Sequence, residues 1–222
     1  MNLQQYINKK YLGKGRCSKC YLLQNESVYK QFNTPLDVSE IDRFKYFLSY
    51  KNDNFLFPYE FICDDKKLYG YITKKASGKT LEDIFIDCDL NKFSSNSKKL
   101  EDNIKYISEG RIIMYDFHSE NIMYDDSIFE VIDTDEYSIS GIYDKEESKN
   151  INLSYHRNLI CNLFINKILF TKDSEYIINK VNEYKKSDIN VSEIILCLKN
   201  DIEINYKETI NNVQDINKIL IR

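Results

Sequence analysis

The stretch Ile112-Ile113-Met114-Tyr115-Asp116-Phe117-His118-Ser119-Glu120-Asn121-Ile122-Met123, followed by Val131-Ile132-Asp133, constrains this chain more than any other part of it. Of nineteen Asp in the sequence, only Asp116 has Asn five residues later. Asn121 runs straight into apolar residues, and a second apolar pair ends in Asp133, twelve residues on. Between them Tyr124-Asp125-Asp126-Ser127 supplies a turn, so the pattern predicts two short joined strands with polar groups at their ends. An Asp and an Asn placed this way can hold Mg²⁺, a hard cation that takes a few carboxylate or carbonyl oxygens along with phosphates. Asp116, upstream on a loop, is then free to receive or orient a hydroxyl proton. The competing reading is two polar turns with Asp at strand ends, and what stands upstream decides between them.

The first seventy-odd residues read as strands with one helix. Residues 17–24 and 28–32 are β-prone runs around a polar break, and 55–63 and 68–73 flank a second hairpin turn, Asp64-Asp65-Lys66-Lys67. Residues 36–50 open with Asp37 and Ser39 as cap candidates, then place Ile41, Phe44 and Leu48 at helical spacing. Residues 74–79, with Ala76-Ser77-Gly78, read as a linker. Beyond it, helices are expected at 81–86, 96–107, 153–170, 174–184, 191–200 and 209–220, with a mobile polar loop at 144–150. The expected fold class is α+β in two lobes: a β-rich N-lobe over 1–74 and a mainly helical, reduced C-lobe over 75–222. Ligands favour such junctions.

Two features of the first region point to that junction. Leu12-Gly13-Lys14-Gly15 lies between two expected strands, where paired glycines let a backbone approach phosphate oxygens closely. It is not a Walker A loop, because no Gly-Lys-Ser/Thr ending precedes a helix. Lys30, in Val28-Tyr29-Lys30-Gln31-Phe32, shares a strand face with Val28, so its ammonium could meet phosphates held under the glycine turn. Glu40 is the natural counter-ion of Lys30, near the start of the next helix. Asp42 competes for that place from about two hundred degrees around the helix.

Composition narrows the function. Net charge is −4, against a general affinity for nucleic-acid backbones. Mean hydropathy is −0.51 and no apolar run approaches ~18 residues, against a membrane-spanning chain. The first residues, MNLQQYINKKYLGKG, lack the pattern of a secretory signal, so the six Cys read as thiols of a reducing cytoplasm. Cys17 and Cys20 form a lone C-x-x-C without a second pair to complete a metal site.

Taken in order, these parts resemble the protein kinase-like fold: glycine loop, strand Lys, helix Glu, linker, a loop of the form D-x-x-x-x-N, and a metal Asp. The resemblance covers about residues 11–137. It implies that Gly13 and Gly15 cover the phosphates of ATP, that Lys30 contacts them, and that Glu40 holds Lys30. It implies Asp116 as catalytic base, Asn121 and Asp133 as Mg²⁺ ligands, and the linker 74–78 as the adenine contact. The departures are specific. Ser18 stands at the third glycine position, Met114-Tyr115 replace His-Arg, Thr134-Asp135 replace Phe-Gly, and no Ala-Pro-Glu follows. There is no Trp for the usual Asp-x-Trp helix, where Asn158 is the nearest substitute. His118, two residues after Asp116, resembles the Asp-x-His-x-x-Asn loop of aminoglycoside and choline phosphotransferases, and is a candidate for a role near the phosphate. His156 reads as structural.

The resemblance therefore implies an ATP- and Mg²⁺-dependent phosphotransferase acting on Ser/Thr of a protein. A small-molecule alcohol as acceptor is one alternative. A nucleotide-binding pseudokinase serving as a regulatory module is the other. Neither nucleic acid nor membrane is an expected partner.

Overall fold

Short β-prone runs separated by tight polar turns fold locally into hairpins, and the N-terminal region is built of them. A computed structural model describes residues 10–221. Residues 1–9, part of the stretch read above for a secretory signal, lie outside the described residues, as does Arg222. Strands β1 (Lys10–Lys14), β2 (Ser18–Leu22), β3 (Ser27–Asp37), β4 (Glu60–Cys63) and β5 (Lys67–Lys74) form one antiparallel sheet in the order β1-β2-β3-β5-β4. The β3–β5 register shifts between Gln31 and Leu36, after which Leu36 pairs with Leu68 and Asp37 with Lys67. Strand β3 thus takes residues expected in the helix, and α1 runs only from Glu40 to Leu48, burying Ile41, Phe44 and Phe47. Asp37 Oδ1 accepts from the Ser39 backbone N–H at 2.9 Å and closes the turn into α1.

Past the sheet the chain passes through β6 (Lys79–Thr80) into α2 (Leu81–Ile84), a 3₁₀ turn at Phe85–Asp87, and α3 (Leu90–Ser108). Helix α3 begins at Leu90, six residues before the expected start at 96, because Asp89 caps it, accepting from Asn91 and Lys92 N–H at 3.0 and 2.9 Å. Two small sheets follow: β7 (Ile112–Ile113) pairs with β10 (Ser138–Ile139), and β8 (Ile122–Tyr124) lies between β6 and β9 (Phe129–Val131). Helices α4 (Lys145–Lys167), α5 (Ser174–Lys185), α6 (Val191–Tyr206) and α7 (Val213–Leu220) complete the described chain.

The expected mobile loop at 144–150 is instead the start of α4. Asp144 and Glu147 form a reciprocal capping box there, each side chain accepting from the other's backbone N–H at 2.9 Å. Buried Asn152 on α4 accepts from Met114 N–H at 3.0 Å and donates to the Ile112 carbonyl at 2.7 Å. It fixes the strand that leads to Asp116. Asn158, the substitute expected from the sequence, is exposed and not in that position. One apolar core runs from Phe44, Phe47 and Tyr71 beneath the large sheet, through Phe55, Phe85 and Phe93, to Phe164 and Ile194 among the helices.

Candidate functional site

Lys30 sits mid-strand on β3, paired across the ladder with Tyr71 of β5 and Cys20 of β2, and is only 6 % exposed. A buried ammonium needs partners. It finds them on a distant segment: Nζ is ion-paired with Asp133 and lies 2.6 Å from Asp135 Oδ1. The hairpin β8–β9 delivers this segment. Asn121 leads into β8, its carbonyl accepts from Ile132 N–H at 2.9 Å, and Asp133 follows directly. Asp133 then adopts a left-handed backbone (φ 60°), which Asp tolerates better than most residues, and the 3₁₀ turn Thr134–Glu136 swings Asp135 back under Lys30.

The electrostatics follow from one cation between two carboxylates. Burial opposes charge on Lys30, but Asp135 and Asp133 outweigh it and hold the ammonium above its ordinary value. Burial, then the adjoining Asp135, pushes the Asp133 carboxyl well up. Asp135 is buried too, yet its hydrogen bond with Asp133, the Lys30 charge and the Tyr71 hydroxyl hold it low. With both carboxylates ionised the group carries one net negative charge, which a further cation would offset.

Lys30 and Asp133 share a cavity of about 470 Å³. Leu12 and Gly13 of β1 bound it above, Val28, Cys20 and Thr73 stand beside them, and Met123 and Ile132 lie below. Lys74, Lys75, Ala76 and Gly78 of the linker close its edge. Gly78 has φ +75°, and an added Cβ there would collide with the Tyr124 carbonyl, so this corner admits no side chain. Gly15 does not line the cavity; its N–H closes the turn on Ser18 O at 2.9 Å. A Cβ on Gly13 or Gly15 would meet nothing within 4 Å, so packing does not demand either glycine.

Asp116, His118 and Asn121 form a second group, outside the lining of that cavity. Asn121 Nδ2 donates to Asp116 Oδ2 at 3.2 Å and to its carbonyl at 3.1 Å, holding the loop in a left-handed turn (Asp116 φ 61°). His118 Nε2 lies 3.5 Å from Asp116 Oδ1, and both side chains are largely exposed. His156, by contrast, is fully buried, edge-on to Phe117 at 6.2 Å, with neither ring nitrogen hydrogen-bonded.

One expected pairing is corrected. Lys30 is paired with neither Glu40 nor Asp42; Glu40 Oε2 instead accepts from Arg43 Nε at 2.7 Å, one turn along α1. Four residues that the sequence did not mark complete the site. They are Asp135, Tyr71 (whose hydroxyl donates to Asp135 at 2.9 Å), Arg43 and Glu130. Buried Glu130 accepts from Lys74 Nζ at 2.7 Å and from Ser77 N–H at 2.6 Å, pinning the linker to β9. An acid within the apolar strand Phe129–Val131 was a readable sign of such a partner. Among the described residues no three His, Cys, Asp or Glu side chains converge on a metal position, and no helix is long and apolar enough to cross a membrane.

A twisted antiparallel sheet carrying a buried lysine, one helix under it, a linker and a helical region bearing the carboxylates define a protein kinase-like fold. Among solved structures the chain is similar to the autoinhibited serine kinase domain of the giant muscle protein titin. The TM-score is 0.62 over 96 % of this chain and 86 % of that one, at 14 % identity. No protein-family model and no curated protein matches the chain.

Proposed function

We propose that the chain is an ATP- and Mg²⁺-dependent phosphotransferase whose acceptor is a Ser or Thr hydroxyl of a protein. The observation that carries this is the meeting of Lys30 and Asp133 on one cavity bounded by Gly13 and the linker, from three stretches far apart in sequence. The residues present fit the ligand. Apolar Val28, Met123 and Ile132 suit a purine, linker backbone at 74–76 offers it hydrogen bonds, and the unbalanced carboxylates suit a hard cation. In this reading the division between residues 74 and 75 separates roof from floor.

When bound, Mg²⁺-ATP supplies the γ-phosphoryl group and neutralises charge on its oxygens. The chain's part is to position. Gly13 presents bare backbone to the phosphates, with Gly15 in the turn beyond it, and Lys30 offers them a fixed ammonium. Asp133 and Asn121 hold the cation. Asp116, tethered by Asn121, accepts a hydrogen bond from the acceptor hydroxyl and aligns it. A second reading, a small-molecule alcohol as acceptor, draws on His118 beside Asp116. The test is incubation with Mg²⁺ and γ-labelled ATP, wild type against Asp133→Asn, offered proteins and small alcohols in parallel. Label on protein from wild type alone supports the first reading. Label on an alcohol selects the second, and nucleotide binding without transfer to either overturns both in favour of a regulatory nucleotide-binding module.

A further inference from the structure

The two carboxylates on Lys30 are not equivalent. The side chain of Asp133 is 36 % exposed and lines the 470 Å³ cavity; that of Asp135 is 9 % exposed and does not. Asp135 lies behind the lysine, on the wall of a separate cavity of about 490 Å³ that also touches Glu40 and Arg43. It is fixed from several sides. Its Oδ1 takes the Lys30 ammonium at 2.6 Å and the Tyr71 hydroxyl at 2.9 Å. Tyr71 is itself held between Phe32 and Phe44, each 5.8 Å away by ring centroid. The backbone of the same turn is clamped as well: Arg43 Nη1 donates to the Asp135 carbonyl at 2.8 Å and to the Tyr137 carbonyl. Helix α1 therefore offers this segment a cation, and Glu40 acts on it only at second hand, by orienting Arg43.

We propose that Asp135 is the positioning carboxylate of Lys30, performing from the segment after β9 the duty that chain order assigned to Glu40 on α1. Asp133, at the cavity wall and also paired with Lys30, can then turn toward a cation while Asp135 keeps the ammonium in place. A consequence is that Lys30 is placed by the segment that carries the metal carboxylate, so α1 need not move to assemble the pair. The kinetic half of this inference rests on the nucleotide reading above; the pairing itself does not.

Two double-mutant cycles read by urea unfolding separate the candidates, because coupling appears only between groups that interact. With Lys30→Met and Asp135→Asn, the folding constant of the double variant should exceed the value expected from the two singles by at least about tenfold. With Lys30→Met and Glu40→Gln the excess should stay below about threefold. The reverse order, or no coupling at Asp135, overturns the proposal. Should Asp135→Asn not fold, Tyr71→Phe replaces it in the cycle, since it loosens Asp135 without removing its charge; coupling of at least about threefold is expected, and none overturns the assignment. In kinetics, Asp135→Asn should raise KM for Mg²⁺-ATP at least about tenfold and Asp135→Glu should recover part of it. A KM unmoved by Asp135→Asn counts against the proposal. If wild type takes no Mg²⁺-ATP at all, the functional reading falls while the cycles still decide the pairing.

Discussion

At the scale of single residues, burial decides which polar groups act on which. That Lys30 meets Asp133, and Asn121 meets Asp116, agrees with the order of residue types along the chain; the roles assigned to them remain proposals. Glu40 was misplaced for a physical reason: β3 keeps pairing through Leu36 and Asp37, so α1 starts at Glu40 itself, and its carboxylate meets Arg43 three residues on. Asp135 was hidden by the left-handed backbone of Asp133 and the turn after it, which no residue pattern announces. His156 gives a prediction at this scale. Burial, aided by the neighbouring Arg157 charge, lowers its pKa to about 3, whereas an unfolded His titrates near ~6.5. The unfolded chain thus gains a proton that the folded chain refuses, and stability falls as pH drops below ~6.5, by up to about 1.4 kcal/mol per pH unit. Urea midpoints between pH 7 and 5 should therefore decline less in His156→Leu than in wild type. Equal declines would mean the imidazole finds a partner when charged.

Among elements, the sheet and most helices were readable from apolar spacing, and the failures share a cause. Helix α4 buries Ser148, Asn152 and His156 toward the core, so its first turns carry no apolar stripe and look like a loop. The signal that was present, Asp144 followed three residues later by Glu147, is a cap pattern rather than a periodicity. Asp144→Ala should cost about 1 kcal/mol, seen as a lower urea midpoint with little change in slope. A change near zero would show that packing alone starts α4. The short helices behaved likewise: Thr80 accepts from Asp83 N–H at 3.3 Å at the head of α2, where apolar residues are too few to set a boundary.

For the whole molecule, the division into a sheet-bearing N-terminal region and a helical C-terminal one was visible in the change of texture near residue 74, and the fold agrees with it. What the sequence left open was how closely the two regions would be joined. Phe55 bridges to Val131, Leu56 N–H donates to the Val131 carbonyl at 3.0 Å, and Asn54 Nδ2 donates to the Phe129 carbonyl at 2.6 Å. Because the cavity draws on both regions, its ligand should stabilise them together. Mg²⁺-ATP at a hundred times its Kd is expected to add about 2.7 kcal/mol to unfolding. Lys30→Met should lose that increment, and scanning calorimetry with and without nucleotide measures it. An increment that persists in Lys30→Met would place the nucleotide elsewhere.

Residues 134–144 join the carboxylate pair to α4, and nearly all of them are already spoken for. Tyr137 N–H closes the turn on Thr134, β10 zips to β7, Ser140 Oγ accepts from the N–H groups of Ile142 and Tyr143, and Asp144 begins the helix. Such a stretch has no slack to refold on command. Between the carboxylate pair and α4 the described chain therefore leaves no long free loop, and a change at α4 would be felt at Asp135 through a few short hydrogen-bonded turns.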